Sequence, residues 1–204
     1  PLGIPNDPYA SQQTLLATIK AFQTWDVFQG DTNVVIGIID TGVFQDHEDL
    51  VNSIATNWNE IPNNGVDDDG NGYVDDFRGY NLAFPAEGKG GNTYHPTDHG
   101  TSVAGIAGAT TNNNLGIAGV AYKCRIFPIK ASKITNLGSI DYGYRGILYA
   151  AVRGFSVVNC SWGSPKQPSP IDQSIIDYAI ARGVVIVAAG GNDDNASRVW
   201  YPAG

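Results

Sequence analysis

The chain has 204 residues, of which 42% are hydrophobic and 16% charged, so its composition is that of a globular domain and not of a disordered or coiled-coil chain. Its 20 acidic and 12 basic side chains give a formal net charge of −8, which argues against a nucleic-acid partner. We expect residues 1–204 to form one domain, because no internal repeat or linker interrupts them and the length allows a substantial core.

Several broad features of the chain bear on its location. No apolar run approaches the roughly 18 residues that a membrane helix needs, so no membrane span is predicted. The first residues lack the basic and apolar regions of a signal peptide, and we expect any signal or pro-segment to have been removed. The cysteines, Cys124 and Cys160, have no metal-ligand spacing and are predicted to be free thiols.

Strand-like and helix-like segments alternate from residue 34 onward. Continuous apolar runs are typical of strands buried on both faces, and the later ones are separated by stretches with helical apolar spacing that end before a glycine. The alternation predicts right-handed βαβ units, and hence an α/β fold with three layers, a mostly parallel sheet and helices on both faces. The predicted strands are Val34–Asp40, Arg125–Ala131, Val157–Ser161 and Val184–Ala189, and the predicted helices between them are Ser139–Arg153 and Ile171–Arg182. Residues 58–80 are acidic and rich in Gly and Asn, which predicts a long surface loop.

Polar residues close the predicted strands, at the edge of a parallel sheet where ligands bind. They are Asp40, Asn159 with Ser161, and Asn192. A carboxylate at the end of a buried strand is costly unless another group pairs with it, and His99 is a natural partner for Asp40. His99 begins a segment of small residues, HGTSVAGIAG, which predicts a helix packed closely on the sheet.

Three motifs frame these residues: IIDTGV around Asp40, HGTSVAGI from His99, and VVIVAAGGN ending at Asn192. Together and in this order they resemble the subtilisin-like serine peptidases (subtilases, peptidase family S8), close to the thermitase branch. The resemblance runs with few gaps from Pro5 to Ala203. It implies the subtilisin-like version of the three-layer fold, and a serine endopeptidase that cleaves polypeptide substrates outside the cell.

The resemblance also assigns roles to individual residues. Asp40 would orient the imidazole of His99, which would take a proton from a nucleophilic serine and return it to the leaving amine. The amide of Asn192 would donate to the oxyanion of the tetrahedral intermediate. Substrate would bind along an edge segment and against a wall of the primary specificity pocket. The edge segment is Ser161, Trp162 and Gly163, and the wall includes Ala188, Ala189 and Gly190.

The nucleophilic serine is not found in this sequence. The Gly-Thr-Ser-Met-Ala motif that carries it in the family lies beyond Gly204, and Ser102 in HGTS sits within one helical turn of His99, where a structural role is expected. The chain is therefore interpreted as the N-terminal two-thirds of a catalytic domain. Its expected partners are polypeptide substrates, its own C-terminal fragment and a pro-segment, and the isolated chain is predicted to be inactive.

A first calcium site follows from the same resemblance. It would be formed by an early aspartate, Asp7, by a second aspartate, Asp49, and by the polar loop after the His99 helix. Such an oxygen set suits a hard cation. The loop ligands would be the Asn113 side chain and the carbonyls of Thr110, Leu115 and Ile117.

A second candidate calcium site is the acidic segment DDDGNGYVDD, which starts at residue 67. It resembles the beginning of an EF-hand loop, with oxygen ligands at alternate positions. The twelfth position is Arg78 in place of Glu, so Asp75 or Asp76 would have to supply the missing carboxylate. The predicted ligands are Asp67, Asp69, Asn71, the Tyr73 carbonyl and Asp75.

Two other classes of protein share single features of this sequence. The sequence around Asp40 also resembles the Asp-Thr-Gly motif of aspartic peptidases, but those enzymes are all-β and need two such motifs. A dinucleotide-binding domain would need G-x-G-x-x-G after the first strand, and Asp40–Gln45 does not supply it. The remaining alternative is a catalytically dead, calcium-binding pseudopeptidase or binding module. Tryptophans Trp25, Trp58, Trp162 and Trp200 are expected to pack in the core or in a cleft.

Overall fold

Strands and helices alternate along the computed structural model of the chain, which describes residues 3–86, 88, 90–194 and 198–204. None of the helices in these ranges is long and apolar enough to cross a membrane. A short 3₁₀ turn, Ala10–Gln12, precedes the first helix. The strands are β1 (Val35–Asp40), β2 (Tyr80–Asn81), β3 (Arg125–Lys130), β4 (Val157–Cys160) and β5 (Val185–Ala188). The helices are α1 (Thr14–Thr18), α2 (Ala21–Trp25), α3 (His99–Gly108), α4 (Gly143–Val152) and α5 (Pro170–Ala181).

The five strands form one parallel sheet in the order β2-β3-β1-β4-β5, which confirms the predicted sheet. In the register of this sheet Asp40 pairs with Lys130, and Ile39 pairs with Cys160. Strands β1, β3 and β4 therefore finish at nearly the same level. The loops that follow them converge at one edge of the sheet, where Asp40 lies.

Helices cover both faces of the sheet, as the three-layer prediction requires. Ile38 of β1 packs with Ala104 of α3 on one face, and its neighbour Ile39 packs with Ile147 of α4 on the other. Both isoleucines are fully buried. The uninterrupted apolar run of β1 thus serves two cores, because successive strand residues point to opposite faces.

Helix α4 and strand β2 differ from the predicted elements, and the short helices α1 and α2 were not predicted. Helix α4 begins at Gly143, four residues later than predicted, because the amides of Asp141 and Tyr142 donate to the carbonyl of Ala131 immediately after β3 and not to the helix. A Cβ at position 143 would lie 2.4 Å from the indole of Trp162, so the helix approaches that ring closely. The short strand β2 was not predicted, since two residues at the end of a glycine-rich loop give no periodic signal.

The segment before β2 is only partly the surface loop that was predicted. Glu60, Asp75 and Asp76 in this segment are all less than 5% exposed, so the segment folds around its own carboxylates. Trp58, in contrast, is 82% exposed, so it does not pack in the core. Its only ring contact among the described residues is an edge-on one with Phe77.

Candidate active site

Asp40 and His99 form the central pair of the site. Asp40 ends β1 and is 1% exposed, while His99 begins α3 and has a side chain that is 55% exposed. Nδ1 of His99 lies 2.7 Å from Oδ1 of Asp40. The carboxylate therefore holds the imidazole from inside the protein, and the opposite side of the ring faces solvent.

Neighbouring groups fix the carboxylate of Asp40. The amide and the hydroxyl of Thr41 donate to its Oδ1 at 2.7 and 3.3 Å. Its Oδ2 is buried and has no hydrogen-bond partner in the described part of the chain. The two donors of Thr41 and the contact with His99 thus fix the orientation of the Asp40 carboxylate.

Glycines allow the strand and the helix to approach this closely. A Cβ at Gly100 would lie 2.3 Å from the carbonyl oxygen of Gly42 and 3.0 Å from Oδ1 of Asp40. Contacts of this kind with backbone would force α3 away from β1. The His-Gly sequence thus places an imidazole beside the carboxylate without a steric conflict.

A cleft of about 1020 Å³ opens beside His99, between the loop after β3 and the segment after β4. Trp162 anchors one side of it, since its Nε1 donates to the carbonyl of Ile39 at 3.1 Å and its ring packs edge-on against Tyr144. The predicted edge segment is therefore brought to the same cleft as His99. Lining residues include Thr41, Ile140, Tyr142, Ser161, Trp162 and Gly163.

The residues after β5 lie next to this cleft but do not line it. Ala189 donates its amide to the carbonyl of Cys160, and so continues alongside the end of β4. Trp200 lies between Gly163 and Gly191, close to both backbones. Asn192 is exposed and lies outside the lining of the cleft. Its role as an oxyanion donor, and that of Ala188–Gly190 as a pocket wall, remain predictions.

Two further nucleophile-bearing side chains lie near the pair. Cys160 is fully buried, and burial together with the charge of Asp40 raises the pKa of its thiol far above the usual range. It is a protonated thiol with no access to substrate. Ser102 is exposed on α3, where its amide donates to the carbonyl of Asp98. Both cysteines are free, as predicted.

The residues of the first predicted calcium site come together in the structure. Asp7 and Asp49 are each less than 5% exposed and face the 110–117 loop. Asp7 accepts from the amides of Asn112 and Asn113, and Asp49 accepts from the side chain of Asn113 and the amide of Ile117. The hydroxyl of Thr110 is buried without a hydrogen-bond partner in the described ranges. The side chains are thus assembled around one loop, where their carboxylates accept mainly backbone donors.

The second acidic segment brings two of the predicted ligands, Asp67 and Asp69, together with Glu60. Ligand oxygens of Glu60, Asp67 and Asp69 all lie within 4.8 Å of one another. Asp75 does not belong to this group, and its carboxylate accepts from the amides of Asn64 and Gly65. Glu60 was missed, and the signal that could have found it is the absence of Glu at the twelfth position, which requires a carboxylate from elsewhere.

Glu60 is an unusual member of this cluster because it is 3% exposed. Its Oε1 accepts from the amides of Asp68 and Asp69, while its Oε2 is buried with no hydrogen-bond partner among the residues described. Burial and the charges of Asp76 and Asp69 raise the pKa of its carboxyl. A cation bound between Glu60, Asp67 and Asp69 would satisfy that oxygen.

The comparison with protein-family models matches residues 31–204 to the subtilase family, Peptidase_S8. Thermitase from Thermoactinomyces vulgaris is 35% identical over 200 residues, which are 98% of this chain and 61% of that protein. The halolysin-like extracellular serine protease Nep of Natrialba magadii is 33% identical over 202 residues. These residues are 99% of this chain and 34% of that protein.

A solved structure of a protease from Pseudoalteromonas arctica PAMC 21717 is similar to this chain, with a TM-score of 0.72 and 31% sequence identity. The match covers 98% of this chain and 62% of that one. In each of these comparisons the chain spans less than two thirds of the length of its relative.

Proposed function

This chain belongs to the subtilase family of peptidases, and we propose that it carries the Asp and His of a serine endopeptidase whose serine lies in another part of the protein. The observation that supports the proposal most strongly is the contact of 2.7 Å between His99 and the buried Asp40, beside a cleft. The substrates would be polypeptides. With a relative named as an extracellular protease, we also propose that the protein is secreted.

The proposed roles follow from the hydrogen bond that His99 makes through one of its two ring nitrogens. Nδ1 of His99 donates to Asp40, so Nε2 is the nitrogen left to accept the proton of the attacking serine hydroxyl. Asp40 stabilises the imidazolium that this transfer creates. His99 then returns the proton to the leaving amine, and the side chain of Asn192 would donate to the oxyanion.

The sheet offers a place for the serine-bearing part. Strand β5 is an edge strand, and Val185 and Val187 on it are 56% and 50% exposed. The backbone at the outer edge of β5 is suited to pairing with a further strand, and an element packed on that face of the sheet would cover the two valines. We propose that the part of the protein that carries the nucleophile packs along β5, whether as one chain or as a separate fragment.

Comparing residues 1–204 with the full-length protein tests this division. We expect the full-length protein to hydrolyse a denatured protein substrate, and residues 1–204 alone to have no detectable activity. Adding the separately produced C-terminal part should restore hydrolysis to the mixture. Hydrolysis by residues 1–204 alone would contradict the proposal, and an inactive full-length protein would favour a calcium-binding pseudopeptidase.

Calcium is the proposed cofactor, and it would stabilise the fold without taking part in the reaction. Glu60, Asp67 and Asp69 would hold one ion, since the buried Oε2 of Glu60 otherwise lacks a partner. Another ion would bind at the first predicted site, where Asp7 and Asp49 meet the 110–117 loop. When bound, calcium would neutralise carboxylates that otherwise repel one another.

The substitution Glu60→Gln tests the calcium site formed by Glu60, Asp67 and Asp69. We expect it to weaken the binding of one calcium ion by about tenfold or more, because a charged ligand is lost while the shape is kept. The measurement is the rise in Tm with calcium concentration in the full-length protein. Asp177→Asn on the exposed surface of α5 is the matched control, and an equal calcium response in both variants would contradict the assignment.

A further inference from the structure

A second cavity lies at the end of the sheet opposite the catalytic cleft. It has a volume of about 860 Å³, in the range of ligand-binding pockets. Val35 and Arg125, which pair at the start of β1 and β3, line it, whereas Asp40 ends β1 about 17 Å away, at 3.3 Å per residue. The two sites are therefore separate. The residues that line the second cavity include Val35, Ile54, Trp58, Phe77, Arg78 and Arg125.

Two arginines give this cavity a positive character. A guanidinium nitrogen of Arg78 donates to the carbonyl of Val51 at 2.6 Å, and one of Arg125 donates to the carbonyl of Asn52. Within the described ranges neither arginine forms a salt bridge, and no acidic residue lines the cavity. Each guanidinium has five N–H donors, so most of them are free for a ligand.

The backbone contacts hold both guanidinium groups on the same turn of chain, because Val51 and Asn52 are adjacent. This placement lowers the entropy that would be lost when a ligand binds. In a chain with 20 acidic and 12 basic side chains, a cavity with two cations and no anion is a distinct electrostatic feature. It fits an anionic group that can accept several hydrogen bonds.

An exposed aromatic side chain borders the same cavity. Trp58 is 82% exposed, and its ring meets that of Phe77 edge-on with centroids 5.7 Å apart. A tryptophan in this position has large apolar area free for contact with a ligand. The cavity therefore combines two hydrogen-bonding cations with an apolar wall.

From this arrangement we propose that the Arg78–Arg125–Trp58 cavity binds a carboxylate of a peptide chain, with an adjacent apolar side chain on Trp58. The net charge of −8 disfavours a polyanion such as nucleic acid, whereas a single carboxylate meets little long-range repulsion. The carboxylate can be a chain terminus or an acidic side chain, since both present the same two oxygens. The site does not require the proposed peptidase activity.

Calorimetric titration of the full-length protein with short peptides tests the proposal. A His99→Ala background prevents turnover, so binding is read without activity. The probes are Ac-Leu-Phe with a free C-terminal carboxylate, Ac-Leu-Phe-amide, and Ac-Glu-Phe-amide. We expect at least one carboxylate probe to bind about tenfold more tightly than Ac-Leu-Phe-amide, and the stronger of the two identifies the source of the carboxylate.

Variants assign that binding to the cavity. Arg78→Ala and Arg125→Ala should each weaken the binding of the carboxylate probe by about tenfold or more. Arg182→Ala, at the exposed residue that follows α5, should leave this binding unchanged. Trp58→Ala should weaken the binding while leaving Tm unchanged, because the exposed ring contributes little to the core. Arg78→Lys and Arg125→Lys replace any alanine variant that fails to fold. Equal binding of all three probes, or binding unaffected by Trp58→Ala and by the arginine variants, would overturn the proposal.

Discussion

Replacing His99 by alanine is expected to lower kcat/KM of the full-length protein toward peptides by about 10⁴-fold or more, the size of loss that follows removal of a triad member. The imidazole is the only titratable group in the described part of the chain that contacts Asp40 directly and also faces the cleft. Without it, the cleft loses the base that Asp40 orients to take the proton of an attacking hydroxyl. Initial-rate measurements with a peptide amide substrate give kcat/KM for the variant and for the unsubstituted protein.

Asp40→Asn should cause a loss of similar size, because an amide no longer stabilises the imidazolium and favours the wrong tautomer of His99. The double variant should be little worse than either single one, since the two residues act as a unit. His47→Asn is the matched control; His47 accepts from the amide of Asp49 and lies outside the cleft. Activity of His99→Ala close to that of the control would contradict the assigned role.

The second large effect is expected at Asp76, where alanine should lower the free energy of unfolding by about 3–5 kcal/mol. Asp76 is 0% exposed. Its carboxylate accepts from the Tyr149 hydroxyl at 2.7 Å, the Asn57 amide at 2.7 Å and the Arg153 guanidinium at 3.0 Å. Burial raises the pKa of this carboxyl, and these donors partly offset the cost of desolvation.

Removing the carboxylate would leave those three donors without their acceptor inside the protein. For a domain of this size, we expect Tm to fall by roughly 6–20 °C. Asp177→Ala is the control, because Asp177 is exposed on α5 and its only side-chain contact in the described ranges is with Gln173. Thermal unfolding of the two variants side by side gives the comparison. A Tm for Asp76→Ala equal to that of the control would show that the cluster contributes nothing to stability.

The central sheet and the Asp40–His99 pair could be predicted from the sequence because each depends on local pattern. The β1 run is apolar at every position, since Ile38 and Ile39 enter different cores, and this marks a buried parallel strand. A carboxylate that ends such a strand needs a partner. The HGTS segment contains a histidine followed by a glycine, and in the structure the imidazole of this histidine contacts the Asp40 carboxylate.

Other features depend on contacts between distant residues and could not be predicted in this way. Glu60 joins Asp67 and Asp69 through the fold of a loop that has no periodicity. The late start of α4 at Gly143 depends on the carbonyl of Ala131 and the ring of Trp162. The exposure of Trp58 was missed because an aromatic residue in an isolated sequence is more often buried than not.

The measurement that tests the central claim most directly is labelling of the full-length protein with a fluorophosphonate, followed by intact-mass and peptide analysis. The account predicts one labelled serine outside residues 1–204, and loss of that label in His99→Ala because the serine is no longer activated. Label on a serine within residues 1–204, or labelling that does not depend on His99, would contradict the claim that Asp40 and His99 activate a nucleophile elsewhere in the protein.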